Sequence, residues 1–468
     1  MFVDYTYQDY EATKEADRPA FLLSVVKSYK LSDFFKRALM ASRYFCAKND
    51  AISQKKLVST KTRRDKNNNL ETRKVEIVGN RIYSNFFFSL LVQQNQYLLG
   101  NGVTLDNAEQ KALLGLGFDK KLEQAGEKAL QHGVCWGYWN NDHLEIIPAA
   151  SDPLSGFVML QDERTGDYLL GVQFWQIGEK RPLYLRVFEL DGVTEYVQAK
   201  GKKMLDLLAA KTPYVKITQT DAAGVVSQIG RNYNRIPIVP LWANDEHCSE
   251  LTNSIRSKID LYDRVLSDFG DNLDRANDVY WILNNFGGTM AEVQEMLSQI
   301  NELKAVVNVS DGMGGGSTAQ PAAFEVPYAA RQTALKLLRD AIYGDFMALN
   351  KAEITGGSLT NVAIDVSMID INLKCDRYEW QVFAFVQGIL QLAGVTSEKI
   401  RFKRQSITNR GETVQDILNM RDDIDLETAL KLNPYIDQEE IPEIIKRRNA
   451  EDAGFVTEDA DYMEEADE

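Results

Sequence analysis

Apolar residues recur at helical spacing in three early blocks of the chain. Phe21 to Tyr29 follows Pro19, a residue suited to a first helical turn; Asn80 to Leu99 closes on Gly100 and Gly102, where a positive φ is cheap; Phe118 to His132 stops at Gly133. From Val134 the period changes to two. The runs CWGYW, HLEIIP, FVMLQDE, YLLGVQFWQI, LYLRVFEL and TEYVQA are aromatic or β-branched and are separated by Gly, Asp and Asn. They predict an antiparallel sheet region of roughly a hundred residues.

The period changes again after NRIPIVPLWAN, Asn234 to Asn244, whose two prolines forbid a central strand or a helix. From Ser249, Leu251, Ile255, Ile259, Tyr262, Leu266, Phe269 and Leu273 step by 4, 4, 3, 4, 3 and 4, one stripe on one helical face. A helix continuing to Leu283 would span ~50 Å. A compact mixed unit follows: VYWILNNF as a strand, a capping box from Thr289 to Glu292 opening a helix to Leu303, then AVVNVS and AAFEV as strands joined by a turn at Gly312 to Gly316. Pro327 starts a second long helix with the stripe Leu335, Leu338, Ile342, Phe346 and Leu349. After the hydrophilic break Lys351 to Asn361 come a third helix, Asp376 to Leu392, a strand in IRFKRQSI, and helical sequence from Glu412 to Asn449 interrupted at Pro434 and Pro442. Helix, small insert, returning helix and loop describe a stalk on an α+β body. One copy of two such striped helices cannot bury both faces, so the pattern asks for neighbours.

Composition narrows the possibilities. With 468 residues, 44% hydrophobic and a net charge of −15, the chain is globular and multidomain, not a basic nucleic-acid wrapper. Residues 54–74 carry eight basic and two acidic residues, a solvated loop or a phosphate- or partner-binding patch; residues 451–468 carry nine acidic residues and no basic one, a disordered, solvating tail. Cys46, Cys135, Cys248 and Cys375 are too far apart in sequence for a zinc site or a disulfide framework, which predicts a reducing compartment. The aromatic, acidic start, Met1 to Tyr10, and apolar runs no longer than Phe86 to Val92 predict a soluble, unsecreted chain.

Candidate chemistry is sparse. His132, His143 and His247 are scattered and read as surface or interface side chains; Gly312 to Gly316 lacks the Lys-Ser/Thr of a phosphate loop; Asp422 and Asp423 sit in charged helical sequence. No nucleophile elbow or zinc-protease run occurs. No metal ligands, cofactor site or catalytic constellation emerges.

RYFCAKNDAISQKK from Arg43, YLLGNGVTL from Tyr97, HGVCWGYW, EIIPAASDPL, NRIPIVPLWAND, SKIDLYDRVLSDFGDNLDRANDVYWIL from Ser257 and TVQDILNMRDDIDLETALKLNPYIDQEE follow one another along the chain. In this order they resemble tailed-bacteriophage portal proteins of the siphophage subfamily found with Gram-positive hosts. The family's Ser-Gly-x-Ala after the loop is replaced by Ser358-Leu359-Thr360-Asn361. The resemblance implies a ring, usually of twelve subunits, that conducts double-stranded DNA at one capsid vertex of the virion after assembly in the host cytoplasm. It implies a wing (1–248), stem helices (249–276 and 327–350), a clip (277–326), a channel loop (351–361) and a last long helix, returning strand and crown (362–450). The channel loop would present Lys351, Glu353, Thr355, Gly356, Gly357, Ser358, Thr360 and Asn361 to DNA. Expected partners are further copies of the chain, DNA, the terminase large subunit, a head–tail adaptor, scaffold and major capsid protein, with no membrane and no ATPase activity of its own. The competing readings are a cytosolic enzyme with a helical insertion and another head–tail adaptor of the same particle.

Overall fold

A computed structural model of the chain describes residues 2–53, 57–64, 70–77, 79–220, 226–276, 279–284, 318–323, 328–350, 360–397, 399–404, 410–420, 423–436 and 440–449. The order of elements begins with helices α1 (Tyr7–Ala12), α2 (Arg18–Leu31), α3 (Asp33–Phe45) and α4 (Asp50–Ser53) and the hairpin β1 (Leu57–Arg64) and β2 (Leu70–Ile77). Then come α5 (Phe86–Leu99), β3 (Val103–Leu105), α6 (Ala108–Ala112) and α7 (Phe118–His132). Eleven strands follow: β4 (Val134–Asn140), β5 (His143–Pro148), β6 (Ala150–Asp152), β7 (Ser155–Gln161), β8 (Tyr168–Trp175), β9 (Leu183–Glu189), β10 (Gly192–Gln198), β11 (Asp206–Thr212), β12 (Val215–Thr220), β13 (Val226–Arg231) and β14 (Ile238–Trp242). The rest is α8 (Asn253–Ala276), β15 (Val279–Asn284), β16 (Thr318–Ala323), α9 (Tyr328–Phe346), α10 (Asn361–Ser367), α11 (Ile369–Ala393), β17 (Ile400–Phe402), α12 (Arg410–Asn419) and α13 (Leu426–Leu432). The mixture of helices and antiparallel strands is the expected α+β class.

Contacts divide the chain into two compact units, residues 1–39, 90–250 and 347–468, and residues 40–89 and 251–346. In the first, β11 to β6 form a six-stranded antiparallel meander. Its core face meets α2 and the start of α3: Val25 and Tyr29 of α2 and Phe35 of α3 are buried with Val158, Leu160, Val172 and Phe174, and the Tyr29 hydroxyl donates to the Ala149 carbonyl at 3.1 Å. A three-stranded sheet, order β14-β4-β5, is packed by α7 and α11. Pro240 lies in β14, opposite Trp136, and β14 is an edge strand, where a missing ladder donor is tolerated. Gly133 caps α7 at φ 98°, and a Cβ there would lie 2.9 Å from the His247 carbonyl oxygen. At Gly137 a Cβ would lie 2.5 Å from the Phe385 ring, so this glycine lets α11 close on the sheet.

The second unit holds α8, α9, α4, the β1–β2 hairpin and the β15–β16 pair. Several expectations change here and elsewhere. The basic stretch is no plain loop, since Leu57 to Arg64 and Leu70 to Ile77 pair in antiparallel register. Helix α8 stops at Ala276 rather than running on to Leu283. The strand opposite VYWILN is Thr318–Ala323, four residues earlier than AAFEV. The helix expected from Thr289, the AVVNVS strand and the Gly312 to Gly316 turn lie outside the described residues. The third helix starts at Ile369, not Asp376, with α10 before it, and β17 covers only the first residues of IRFKRQSI, paired with β3. Pro442 falls in the first turn of a further helix, 441–449, rather than breaking one. Among the described residues no helix is long and apolar enough to cross a membrane.

Candidate functional site

Helices α8 and α9 lie side by side and antiparallel: Lys258, near the start of α8, pairs with Asp345 at the end of α9, while Phe269 packs on Tyr328 with ring centroids 5.7 Å apart. Burial along them is graded. At one end Leu251, Ile255, Ile259, Ile342 and Phe346 are buried; further along Tyr262, Leu266, Phe269, Leu335 and Leu338 are only half-buried; Leu273 and Tyr328 are exposed. Phe86 meets Tyr262 edge-on at 4.9 Å and reaches Tyr343 at 6.2 Å.

Beside the apolar stripe α8 carries a buried polar one, Asp263, Ser267 and Asp271, which sequence reasoning missed. Residues 80–85 are extended rather than helical, because α8 takes their donors. Asn80 N–H donates to Asp271 at 2.6 Å, Ile82 N–H to Ser267 Oγ at 3.0 Å, and Ser84 N–H to Asp263 at 2.9 Å. Four helical residues rise about 6 Å and two extended residues about 6.6 Å, so the two segments stay in step. The signal was present as polar residues at i, i+4 and i+8 beside the apolar positions. Burial raises the Asp263 carboxyl above its usual range, with hydrogen bonds from Ser84 and Asn49 pulling the other way.

Hydrogen bonds from Lys258 and Ser254 hold the Asp345 carboxyl below its usual range. Arg256 lies 3.7 Å from Asp260, whose carboxylate accepts from the Tyr44 hydroxyl at 2.6 Å. Arg256 and Lys258, two of the four basic residues of α8, therefore pair within the chain.

Of the expected channel-loop residues, Lys351, Glu353, Thr355, Gly356, Gly357 and Ser358 lie outside the described residues. Thr360 is the N-cap of α10, its hydroxyl accepting from Ala363 N–H at 3.3 Å. Asn361 is the first helical residue, held by its N–H to Glu412 at 2.6 Å.

Nothing described offers catalytic chemistry. No metal-ligating cluster occurs among the described residues. The Cys135 and Cys375 thiols are buried and pushed up by that burial, the latter to about 12. His132 is a correction: it is a core residue, and burial pushes it down to about 3. His143 is exposed between Asp142 and Glu145, and His247 stacks on Trp242 at 3.7 Å. A cleft of about 550 Å³ is lined by Arg231, Arg235, Asn141, Asn234 and Gln391 among others, with no carboxylate, histidine or cysteine to form an acid–base pair.

Residues 26–454 match the family described as phage portal protein, SPP1 Gp6-like. The chain is also similar to the portal protein of Clostridium phage phiCD119 (strain Clostridium difficile/United States/Govind/2006), 23% identical over 422 residues that cover 86% of this chain and 90% of that protein. Because the family match runs through the sheets, both long helices and the helices after them, this chain belongs to the SPP1 Gp6-like phage portal proteins, structural components of the virion rather than enzymes.

Proposed function

We propose that this chain assembles into a closed ring of about twelve copies at one capsid vertex, and that double-stranded DNA passes through its centre during packaging and ejection. The observation that carries the reading is the graded burial of the α8–α9 pair. One chain covers Ile255, Ile259, Ile342 and Phe346 but leaves Tyr328 and Leu273 exposed, so the far end of the pair is completed by neighbours. In the ring α8 and α9 form the stem around the tunnel. Residues 277–326 form the clip that docks the terminase large subunit and then the head–tail adaptor. The first 248 residues form the wing that meets scaffold and major capsid protein.

Transport sets the chemistry of the lining. Each phosphate neutralised by Lys or Arg adds affinity, and with it resistance to sliding. Residues 351–361 hold one Lys, one Glu and otherwise small, hydroxyl, amide or aliphatic residues, so this segment touches a DNA backbone without gripping it. Negative-stain images of the purified full-length chain test the reading. Rings of about twelve or thirteen subunits with a central hole are expected. A chain that remains monomeric at high concentration by native mass spectrometry overturns it.

A further inference from the structure

Helices α10 and α11 bury one apolar face and leave a second one open. Ile364, Met368, Ile371 and Cys375 point into the core. On the other side Val362 is 71% exposed, Val366 62%, Ile369 49%, Leu373 54% and Trp380 73%. Val362 and Val366 lie on α10 and the other three on α11, but Met368 between them keeps helical bonds, its N–H donating to the Ile364 carbonyl at 3.1 Å and its carbonyl accepting from Asn372 N–H at 3.0 Å, so the spacing of 4, 3, 4 and 7 keeps all five on one side. Scattered surface leucines need no explanation, but five large apolar side chains in register do. They present on the order of 600 Å² of surface, at the top of the range for the largest patch on a monomer and about three quarters of the ~800 Å² each partner gives a stable interface. The flanks are polar and exposed, with Asp365, Asp370, Asp376 and Arg377, which is the layout of an interface core with a charged rim.

We propose that this face is a contact between subunits, occupied by a second copy of the same chain; the proposal rests on the ring reading above. Two observations favour that occupant. The stripe begins at Val362, directly after the segment 351–361 assigned to the channel, so its first residues lie close to the tunnel, where the surfaces available are DNA and neighbouring subunits. An apolar stripe does not suit DNA, which leaves the neighbour. Its area also supplies most of one side of a stable interface. The contact is heterologous: in a ring of more than two members the stripe meets a different face of the next copy, since a self-facing contact would stop assembly at a dimer.

The test uses the full-length chain. Val366→Asp combined with Leu373→Asp is expected to raise the concentration for half-assembly at least tenfold in mass photometry, with the thermal unfolding of the monomer unchanged, because both side chains are exposed in the isolated chain. Replacement of Trp380 by a photo-crosslinking benzoylphenylalanine is expected to give dimeric adducts between two copies. A double variant that assembles like the parent chain overturns the proposal and leaves the ring reading standing. A parent chain that never assembles overturns both. Should the double variant fail to fold, the crosslink decides: adducts between two copies support the contact, whereas adducts only within one chain, for example to residues 351–359, or only to another phage protein, overturn it.

Discussion

The carboxylate of Asp263 receives the backbone N–H of Ser84 on one oxygen at 2.9 Å and the side-chain amide of Asn49 on the other at 2.5 Å. One acidic side chain of α8 thus holds both the extended segment before α5 and the start of α4. Asn49 is buried and Ser84 partly so; removing the acceptor strands the Ser84 N–H and leaves the Asn49 amide only its 3.2 Å bond to the Ser84 carbonyl. Asp263→Ala is expected to cost about 2–4 kcal/mol in urea unfolding, and Ser267→Ala, which removes one neutral hydroxyl, about 1–2 kcal/mol. Equal and small effects of the two would mean that the ladder adds little.

The same residue predicts a pH dependence. Burial raises the Asp263 carboxyl above its unfolded value of 3.8, so the folded state holds this proton more tightly than the unfolded state. Its contribution favours the fold at low pH and is lost as pH rises from 3.8 through the raised folded value. Asp263→Asn cannot titrate and loses that slope. The difference in stability between parent and variant, measured by urea melts from pH 3.5 to 7.5, should therefore shift in the variant's favour as pH rises. A difference that moves the other way sinks the assignment.

Glu250 anchors the segment leading into α8. Its N–H donates to the Leu130 carbonyl at 3.0 Å, one carboxylate oxygen accepts from Asn244 at 3.0 Å and the other meets Lys374 of α11 at 2.8 Å. Burial lowers the Lys374 ammonium, partly offset by Glu250. Truncating one partner strands the other in a poorly solvated place, so Glu250→Ala is expected to cost about 3–5 kcal/mol. Glu250→Gln with Lys374→Met together should cost less than the sum of the singles by about 1–3 kcal/mol in denaturant melts. Additive losses would show that the pair is not coupled.

How much of this was legible depends on whether local pattern and tertiary context agree. Helix α7 runs from Phe118 to His132 as read, because an amphipathic pattern and the Gly133 cap specify the same ends. The prolines of NRIPIVPLW point to an edge, and β14 is one. Residues 80–85 misled because their conformation is set by acceptors on α8, nearly two hundred positions away. Strand β11 gave no period-two signal, since Leu207 and Leu208 are adjacent and both exposed. His132 looked superficial because a lone polar residue at a helix end says nothing about what packs over it. At the channel segment, Thr360 followed by Asn361 and Val362 carries an N-cap pattern, which a reading of the stretch as a loop passed over.

The segment 351–359 offers a functional test separate from assembly. If it brushes DNA in the tunnel, shortening it by four residues should leave ring formation unchanged in electron micrographs. The same change should cut packaged genome length or retention in complemented phage by at least tenfold. Full packaging by the shortened protein would remove this segment from the transport mechanism. The purified chain should also show no ATP turnover above background, as fits a structural rather than enzymatic family.

Net charge gives the last expectation. Each copy carries −15, so about twelve copies bring about −180 into one ring, and charges beyond ~8–10 Å are screened at physiological ionic strength. If apolar contacts hold the proposed ring together, this repulsion opposes them and is the part that weakens with added salt. Assembly should therefore be favoured on going from 20 mM to 200 mM NaCl, with the half-assembly concentration falling severalfold in mass photometry. Removing residues 451–468 deletes nine of the 68 acidic residues and no basic one, so the truncated chain should assemble at lower salt than the parent. A basic-for-acidic contact across the interface would reverse the trend, because salt would then weaken an attraction. Assembly that declines with salt in both proteins would identify ion pairing between subunits, rather than apolar burial, as the dominant force holding the ring.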